Sequence, residues 1–229
     1  MQDKKEMQDK MEEREALIDE VIEREWEQFQ YVQNEGGRAS CQDDHETFVI
    51  MRKSQFMNWT QELLESYRQD LIEAEAAHWN LLTEKYARMM ESTAPERYAE
   101  LADILPKRSK ERIQMQEEMI AQQIRWEEDF AAKFPGVASA GRVIHTSEDT
   151  PWDTSIETYA RGEISTYSDQ TVGLLKKLYD QMAADHENLS EKTLRNMTAL
   201  YGYESLEEAE KQQRARLEHS CNSEITPIE

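Results

Sequence analysis

The segment His78-Trp79-Asn80-Leu81 recurs as His186-Glu187-Asn188-Leu189, a spacing of 186 − 78 = 108 residues. The same spacing carries Phe48 to Ile156, Met51 to Tyr159, Lys53 to Arg161, Phe56 to Ile164, Trp59 to Tyr167 and Thr60 to Ser168. Upstream, Trp26 and Phe29 are echoed by Trp126 and Phe130, and each pair is followed by a Gly/Arg loop, Gly36-Gly37-Arg38 and then Gly141-Arg142. The register drifts from 100 at the tryptophans through 104 at the arginines to 108 in the later segments. An internal duplication restricts the fold to two similar halves, related by a pseudo-two-fold, with the pocket expected at their junction.

What each half contains follows from its punctuation. Only 7 Gly and 5 Pro occur in 229 residues, too few for an all-β or doubly wound fold. Abundant Glu, Gln, Ala, Met, Leu and Arg favour helix. The predicted class is therefore all-α, a single domain of two helical repeats. Residues 1–14 read as a charged helical extension, 15–105 as the first repeat, 106–212 as the second and 213–229 as a disordered tail.

In the first repeat, Leu17, Ile18, Val21, Ile22, Trp26 and Phe29 recur at three- and four-residue steps and predict a helix ending before Gly36-Gly37. Asp43 to Glu46 reads as a capping box opening the next helix. A further helix, with a break, is predicted from about Trp59 to Met90, and a short one from Pro95 to Pro106. The second repeat predicts a helix from Lys110 to Lys133 that buries Met115, Met119, Ile120, Ile124 and Phe130 and is ended by Pro135-Gly136. A capping box at Thr154 to Glu157, a long helix from Asp169 to Ala199 and a last helix capped at Ser205 follow.

The formal net charge of −21 opposes binding to nucleic acid or anionic membrane, because no basic face is available to release counterions. An anionic ligand needs a locally positive pocket. Cys41 and Cys221 are the only cysteines, one in a loop and one in the polar tail, so no disulfide scaffold is expected. With no long apolar run and no signal peptide, the expected location is a reducing cytoplasm.

The two Gly/Arg loops are the leading site candidates. Each sets an arginine just before a helix N-terminus, where free N–H groups and the helix dipole favour an anion and a guanidinium adds a bidentate fork. Arg38 and Arg142 stand near the pseudo-two-fold if the halves pack symmetrically. Aligning them sets Cys41 opposite His145, a thiol and a base of the kind used in nucleophilic catalysis, against an inert thiol and an exposed imidazole. The second loop, Ser147 to Glu157, is dense in carboxylates. Asp149 or Glu157 is the candidate general base, Trp152 a candidate pocket wall, and Asp153 either a ligand group or a helix cap. Lys85 and Tyr86, a turn or so after Asn80, are candidate general acids, against a solvated lysine and a core tyrosine. His78 and His186 sit in long helices without ligand spacing, so no metal or other cofactor is implied.

Three segments carry a resemblance: Gly36 to Gln42, Leu82 to Met90, and Ser147 to Thr150 with Glu157 to Tyr159. From about Leu17 to Ala209 the chain resembles a bacterial helical family classed as a domain of unknown function. The resemblance implies that Asn34, Arg38, Cys41, Gln42, Asp149, Asp153 and Glu157 matter, and supplies no activity.

The resulting expectation is a cytoplasmic enzyme without a conventional cofactor, a hydrolase, lyase or isomerase, acting on a small polar anion between the halves. Its partners are that small molecule and, for the intact protein, a second copy in a homodimer. The alternative is a non-catalytic acidic helical protein that binds a ligand or a partner helix, with Met89-Met90 to Met115 as adaptable surface.

Overall fold

The computed structural model describes residues 2–33 and 37–223. Within them the chain is all-α. The first half forms α1 (Gln2–Gln30), α2 (His45–Phe56), α3 (Gln61–Ala76), α4 (Leu81–Thr93) and α5 (Pro95–Leu101). The second forms α6 (Lys110–Lys133), α7 (Pro135–Ala138), α8 (Ile156–Thr166), α9 (Asp169–Ala184), α10 (Leu189–Leu200) and α11 (Leu206–Ser223). Single 3-10 turns at Ser40–Asp43 and Thr146–Glu148 lie in the two Gly/Arg loops.

One apolar core runs through both halves. Leu17, Ile18, Val21 and Ile22 of α1 meet Leu63, Leu64 and Leu71 of α3, Met119 and Ile120 of α6, and Val172 and Leu175 of α9. The predicted stripe of α1 is thus the buried one, although Trp26 lies at its edge and Met115 of α6 is surface.

The long helices read across His78 and His186 are each broken there. Both histidines take a left-handed backbone, φ 54° and 55°, which ends a helix as a C-terminal residue does. Trp79 N–H then returns to Ala74 O, and Glu187 N–H to Met182 O, each at 2.8–2.9 Å. Two residues on, Asn80 and Asn188 cap the next helix by accepting from Thr83 and Glu191 N–H. The same asparagines donate to α1 and α6, at Gln28 O and Trp126 O (2.7 and 2.8 Å), so each capped break is fastened to its own half.

The predicted capping boxes are off by one residue. Asp44, not Asp43, caps α2, because Asp43 lies in the 3-10 turn and takes Arg38. Ser155, not Asp153 or Thr154, caps α8 by accepting from Thr158 N–H. Pro135 does end α6, but it opens the short α7 instead of a loop. Where a disordered tail is predicted from residue 213, α11 continues helical to Ser223.

Positions 108 apart also meet in space. Gln55 approaches Glu163 at 3.5 Å, and the rings of Trp59 and Tyr167 pack edge to face with centroids 6.0 Å apart. α8 crosses α4, and α10 crosses α2. The first crossing is the closer, because Gly162 has no side chain: a Cβ there would lie 2.9 Å from Lys85 O and 2.8 Å from Met89 Cγ. Met89 is accordingly buried, not a free surface methionine.

Gly162→Ala therefore tests the crossing. Helix propensity alone predicts a gain of about 1 kcal/mol for this change. Overpacking at a backbone oxygen predicts a loss of about 1–3 kcal/mol instead. Urea unfolding of the pure variant measures the sign, and a stabilised variant would contradict the close crossing.

Candidate functional site

The α4–α8 crossing has a polar group on each side. On its inner side lies a buried ion network. Arg52 forms a bidentate pair with Glu25 (2.6 and 2.7 Å) and reaches Glu163 Oε1 at 3.0 Å. Lys85 Nζ reaches Glu163 Oε2 at 3.1 Å and donates to the Tyr159 hydroxyl at 2.6 Å. Tyr67 donates to Glu25 and Tyr167 to Glu163, at 2.6 and 2.8 Å. Glu25, Arg52, Lys85 and Glu163 are all at least nine-tenths buried. The carboxylates and cations balance, and the tyrosines occupy remaining lone pairs, which is the condition under which charges tolerate burial.

The network fixes protonation states. Burial alone would raise Glu163, but Arg52 and Lys85 outweigh it and hold the carboxyl well below its ordinary range. Burial alone would lower Lys85, and Glu163 more than offsets that, so the ammonium is held above the usual lysine range. Lys85 is therefore a fixed charge rather than a proton donor of ordinary strength.

Several predicted residues gather just outside this network. Tyr86 stacks on Phe29 at 6.1 Å and lies beside Lys85, whose Nζ is 5.5 Å from the Tyr86 ring centre. Burial and the neighbouring Tyr159 push its phenol up, with Lys85 and Arg142 opposing and Cys41 adding to the rise. Arg142 lies over the Tyr159 ring at 5.1 Å and donates to Thr154 O at 3.1 Å. Arg142 of the second loop thus shares the Tyr159 ring with Lys85 of α4.

Other predicted residues serve the loops themselves. Arg38 donates to Asp43 (2.7 Å), Gln42 O (2.6 Å) and Gln30, so it holds its own turn rather than facing a ligand. Gln42 is 1% exposed and spends its amide on Phe29 O and Val32 O, closing the C-terminus of α1, and on Ala39 N–H. Cys41 is free and exposed, while His145 pairs with Glu128 at 3.4 Å instead of joining it. Asn34 lies outside the described residues.

Asp149 accepts from Ser155 N–H and Thr158 Oγ1, both at 2.6 Å. Burial would raise it, but bonds from Ser92, Thr158 and Ser155 carry it below the ordinary range. Glu157 accepts from Thr146 N–H and Arg161 (each 2.8 Å) and is likewise lowered, those bonds outweighing burial. Both carboxylates are occupied in fixing the loop on α8, which argues against either as general base. Trp152 is 92% exposed and walls no pocket, and Asp153 is exposed beside it.

On the outer side of the crossing lies a cleft of about 680 Å³ between α4–α5 and α6–α8. Arg88, Lys107, Arg108 and Arg161 line it against two carboxylates, Glu91 and Glu117. Arg88 is aimed by two bonds to one oxygen, Glu84 Oε1 (2.9 and 2.7 Å), and Arg161 by a bidentate pair to Glu117 (2.9 Å each). Arg108 caps the C-terminal end of α8 by donating to Ser165 O at 2.9 Å. Arg112, beneath, donates to Ile164 O and Tyr167 O of the same end (2.9 and 3.1 Å). Burial lowers the Arg112 pKa and the nearby Arg108 and Arg88 charges lower it further, Asp169 opposing, so the field there is positive. Buried Arg112 NH1 and Gln116 Oε1 have no hydrogen-bond partner among the described residues.

Sequence reasoning did not single out Arg88, Arg108, Arg161 or Gln116 for this cleft. A signal existed in Glu84/Arg88 and Glu157/Arg161, which repeat one Glu-x-x-x-Arg spacing, but such i,i+4 pairs ordinarily mark a solvated helix face.

Residues 15–211 match the family described as protein of unknown function (DUF4125). The chain belongs to this family. The family match spans every helix of the crossing, and so includes both the network and the cleft. No curated protein and no solved structure gives a match. Among the described residues no cluster of His, Cys, Asp or Glu is arranged to hold a metal, and no helix is long and apolar enough to cross a membrane.

Glu163→Gln tests the network by stability and pH together. Removing one carboxylate leaves buried cations undercompensated and costs about 3–5 kcal/mol near neutrality. Because folding holds Glu163 below its unfolded value of about 4.3, its contribution is complete above that pH and is lost progressively as pH falls from there through the lower folded value. The variant should therefore show a shallower loss of stability between about pH 5 and pH 2 than the parent. Chemical unfolding across that range decides it: parallel acid limbs would remove Glu163 from the network's pH response.

Proposed function

We propose that the protein takes a small polar anion in the cleft between α4–α5 and α6–α8. The observation that carries this is the set of guanidiniums, Arg88, Arg108 and Arg161, gathered on one concave surface of a chain with net charge −21. In such a chain, generic electrostatics repel anions, and only a built local site captures them. NH1 of Arg88 and of Arg108 donates to no carboxylate or carbonyl among the described residues, and both can donate to an incoming phosphate or carboxylate.

The enzymatic reading attaches to the same cleft. Glu91 lines it outside the ion pairs that occupy Glu84, Glu117 and Glu157, which supports Glu91 as the base in this reading. Catalysis would then be hydrolysis, elimination or isomerisation without a cofactor. The free thiol of Cys41 supports a reducing cytoplasm as the setting.

A thermal-shift panel of small phosphates and carboxylates tests capture, followed by titration calorimetry of the hits. Arg108→Gln should weaken binding by about tenfold or more, the cost of one charged hydrogen bond of about 1.5–3 kcal/mol. Arg38→Ala should leave it unchanged. Equal affinity in the parent and Arg108→Gln would move the anion elsewhere. For any ligand that is also turned over, Glu91→Gln should abolish kcat with little change in binding, and an undiminished rate would exclude Glu91 as base.

A further inference from the structure

The cleft is lined by more than its guanidiniums. Tyr98 and Ala102, one helical turn apart at the end of α5, line it together with Leu105 and Pro106 of the segment that follows and Ile113 of the first turn of α6. All five come from one short stretch of chain.

That stretch is strapped to the charged part of the cleft. Arg88 Nη2 donates to Pro106 O at 2.7 Å, and Arg108, two residues on, donates to Ser165 O at 2.9 Å. The apolar and cationic groups therefore adjoin. Lys107, between Pro106 and Arg108, spends its ammonium on Ala102 O (2.7 Å) and Asp103 (3.2 Å), which turns it back on the end of α5.

The apolar surface there is not consumed by the fold. Ile113 is 48% exposed, Tyr98 is half-buried, and neither joins an apolar core cluster among the described residues. Covering such surface with an apolar group is favourable in proportion to the area removed from water. A wholly polar body laid against it would lose water and gain no hydrogen bonds in return. The volume of about 680 Å³ also exceeds what an inorganic anion fills. It is in the range of organic-ligand pockets, which combine an apolar lining with a few placed polar groups.

We propose that the ligand of this cleft is an organic anion with a compact apolar body, aryl or short alkyl, joined directly to its charged head. The head sits on Arg88 and Arg108, and the body lies against Tyr98, Pro106 and Ile113. This rests on the anion-binding reading above and adds to it the apolar requirement.

Titration calorimetry on the full chain with inorganic phosphate, phenyl phosphate and phenol separates head from body. Acetate with benzoate repeats the comparison for a carboxylate head. Phenyl phosphate should bind at least about tenfold tighter than inorganic phosphate, a ratio that covering an aromatic ring supports. Ile113→Gln, at an exposed helix position, should cut that ratio several-fold while inorganic phosphate affinity stays unchanged, and Tyr98→Gln should do the same. Arg108→Gln should instead weaken both phosphates alike. Phenyl phosphate and benzoate no tighter than inorganic phosphate and acetate would overturn the apolar requirement and leave anion capture standing. A ratio that survives in both Ile113→Gln and Tyr98→Gln would do so too. Phenol as tight as phenyl phosphate, or a failure of all four anions to bind, would overturn both readings.

Discussion

Burying the Glu25–Arg52–Glu163–Lys85 network is a constraint that the rest of the structure accommodates. Four charges leave water together, and such a group is tolerated only when each is paired and its remaining hydrogen-bonding capacity is used. That requirement recruits α1 for Glu25, α2 for Arg52, α3 for Tyr67, α4 for Lys85 and α8 for Glu163. Because Glu163 comes from the second half and the other charges from the first, the halves cannot shift independently without exposing an unpaired ion. The apolar core supplies most of the burial, and the network supplies the register in which the halves meet.

The helices that bring Lys85 to Glu163 also line the cleft, α4 through Arg88 and Glu91 and α8 through Thr158, Arg161 and Ser165. The other crossing, α2 with α10, carries no comparable charge. There Asn58 donates to Thr193 Oγ1 at 3.0 Å, and Asn196 to Ser54 O at 3.0 Å. Thr193 stands 108 residues after Lys85, and Ser54 108 before Gly162, so similar helix pairs carry an uncharged amide cluster in one place and an ion network in the other. Among the described residues the buried ion network lies at one crossing.

Helical class, the stripe of α1 and the span of α6 were legible in the sequence because apolar spacing reports burial directly. A break was expected in the first long helix, but its place at His78 and the matching break at His186 were not legible, because His-x-Asn-Leu reads as helix by propensity and only tertiary bonds from Asn80 and Asn188 to α1 and α6 reveal the stop. The expected pairs, Arg38 with Arg142 and Cys41 with His145, are held apart by local partners, Arg38 by Asp43 and Gln42 and His145 by Glu128, while Lys85 and Tyr86 sit side by side on α4. Their roles were not legible, since whether a lysine is a proton donor or a locked charge depends on Glu163, 78 residues away. Arg108 was missed because its partner is a helix-end carbonyl, and backbone acceptors leave no mark in a sequence.

The exposed Trp152 matters as a spectroscopic reporter. The other tryptophans, Trp26, Trp59, Trp79 and Trp126, are buried or partly buried in packed helices, whereas Trp152 is 92% exposed on the loop whose Thr146 lines the cleft. Quenching by a solute that cannot enter the core isolates its emission. The molecule thus carries an intrinsic optical label on the loop that supplies Thr146 to the cleft, and that loop can be followed in solution without attaching anything to the chain.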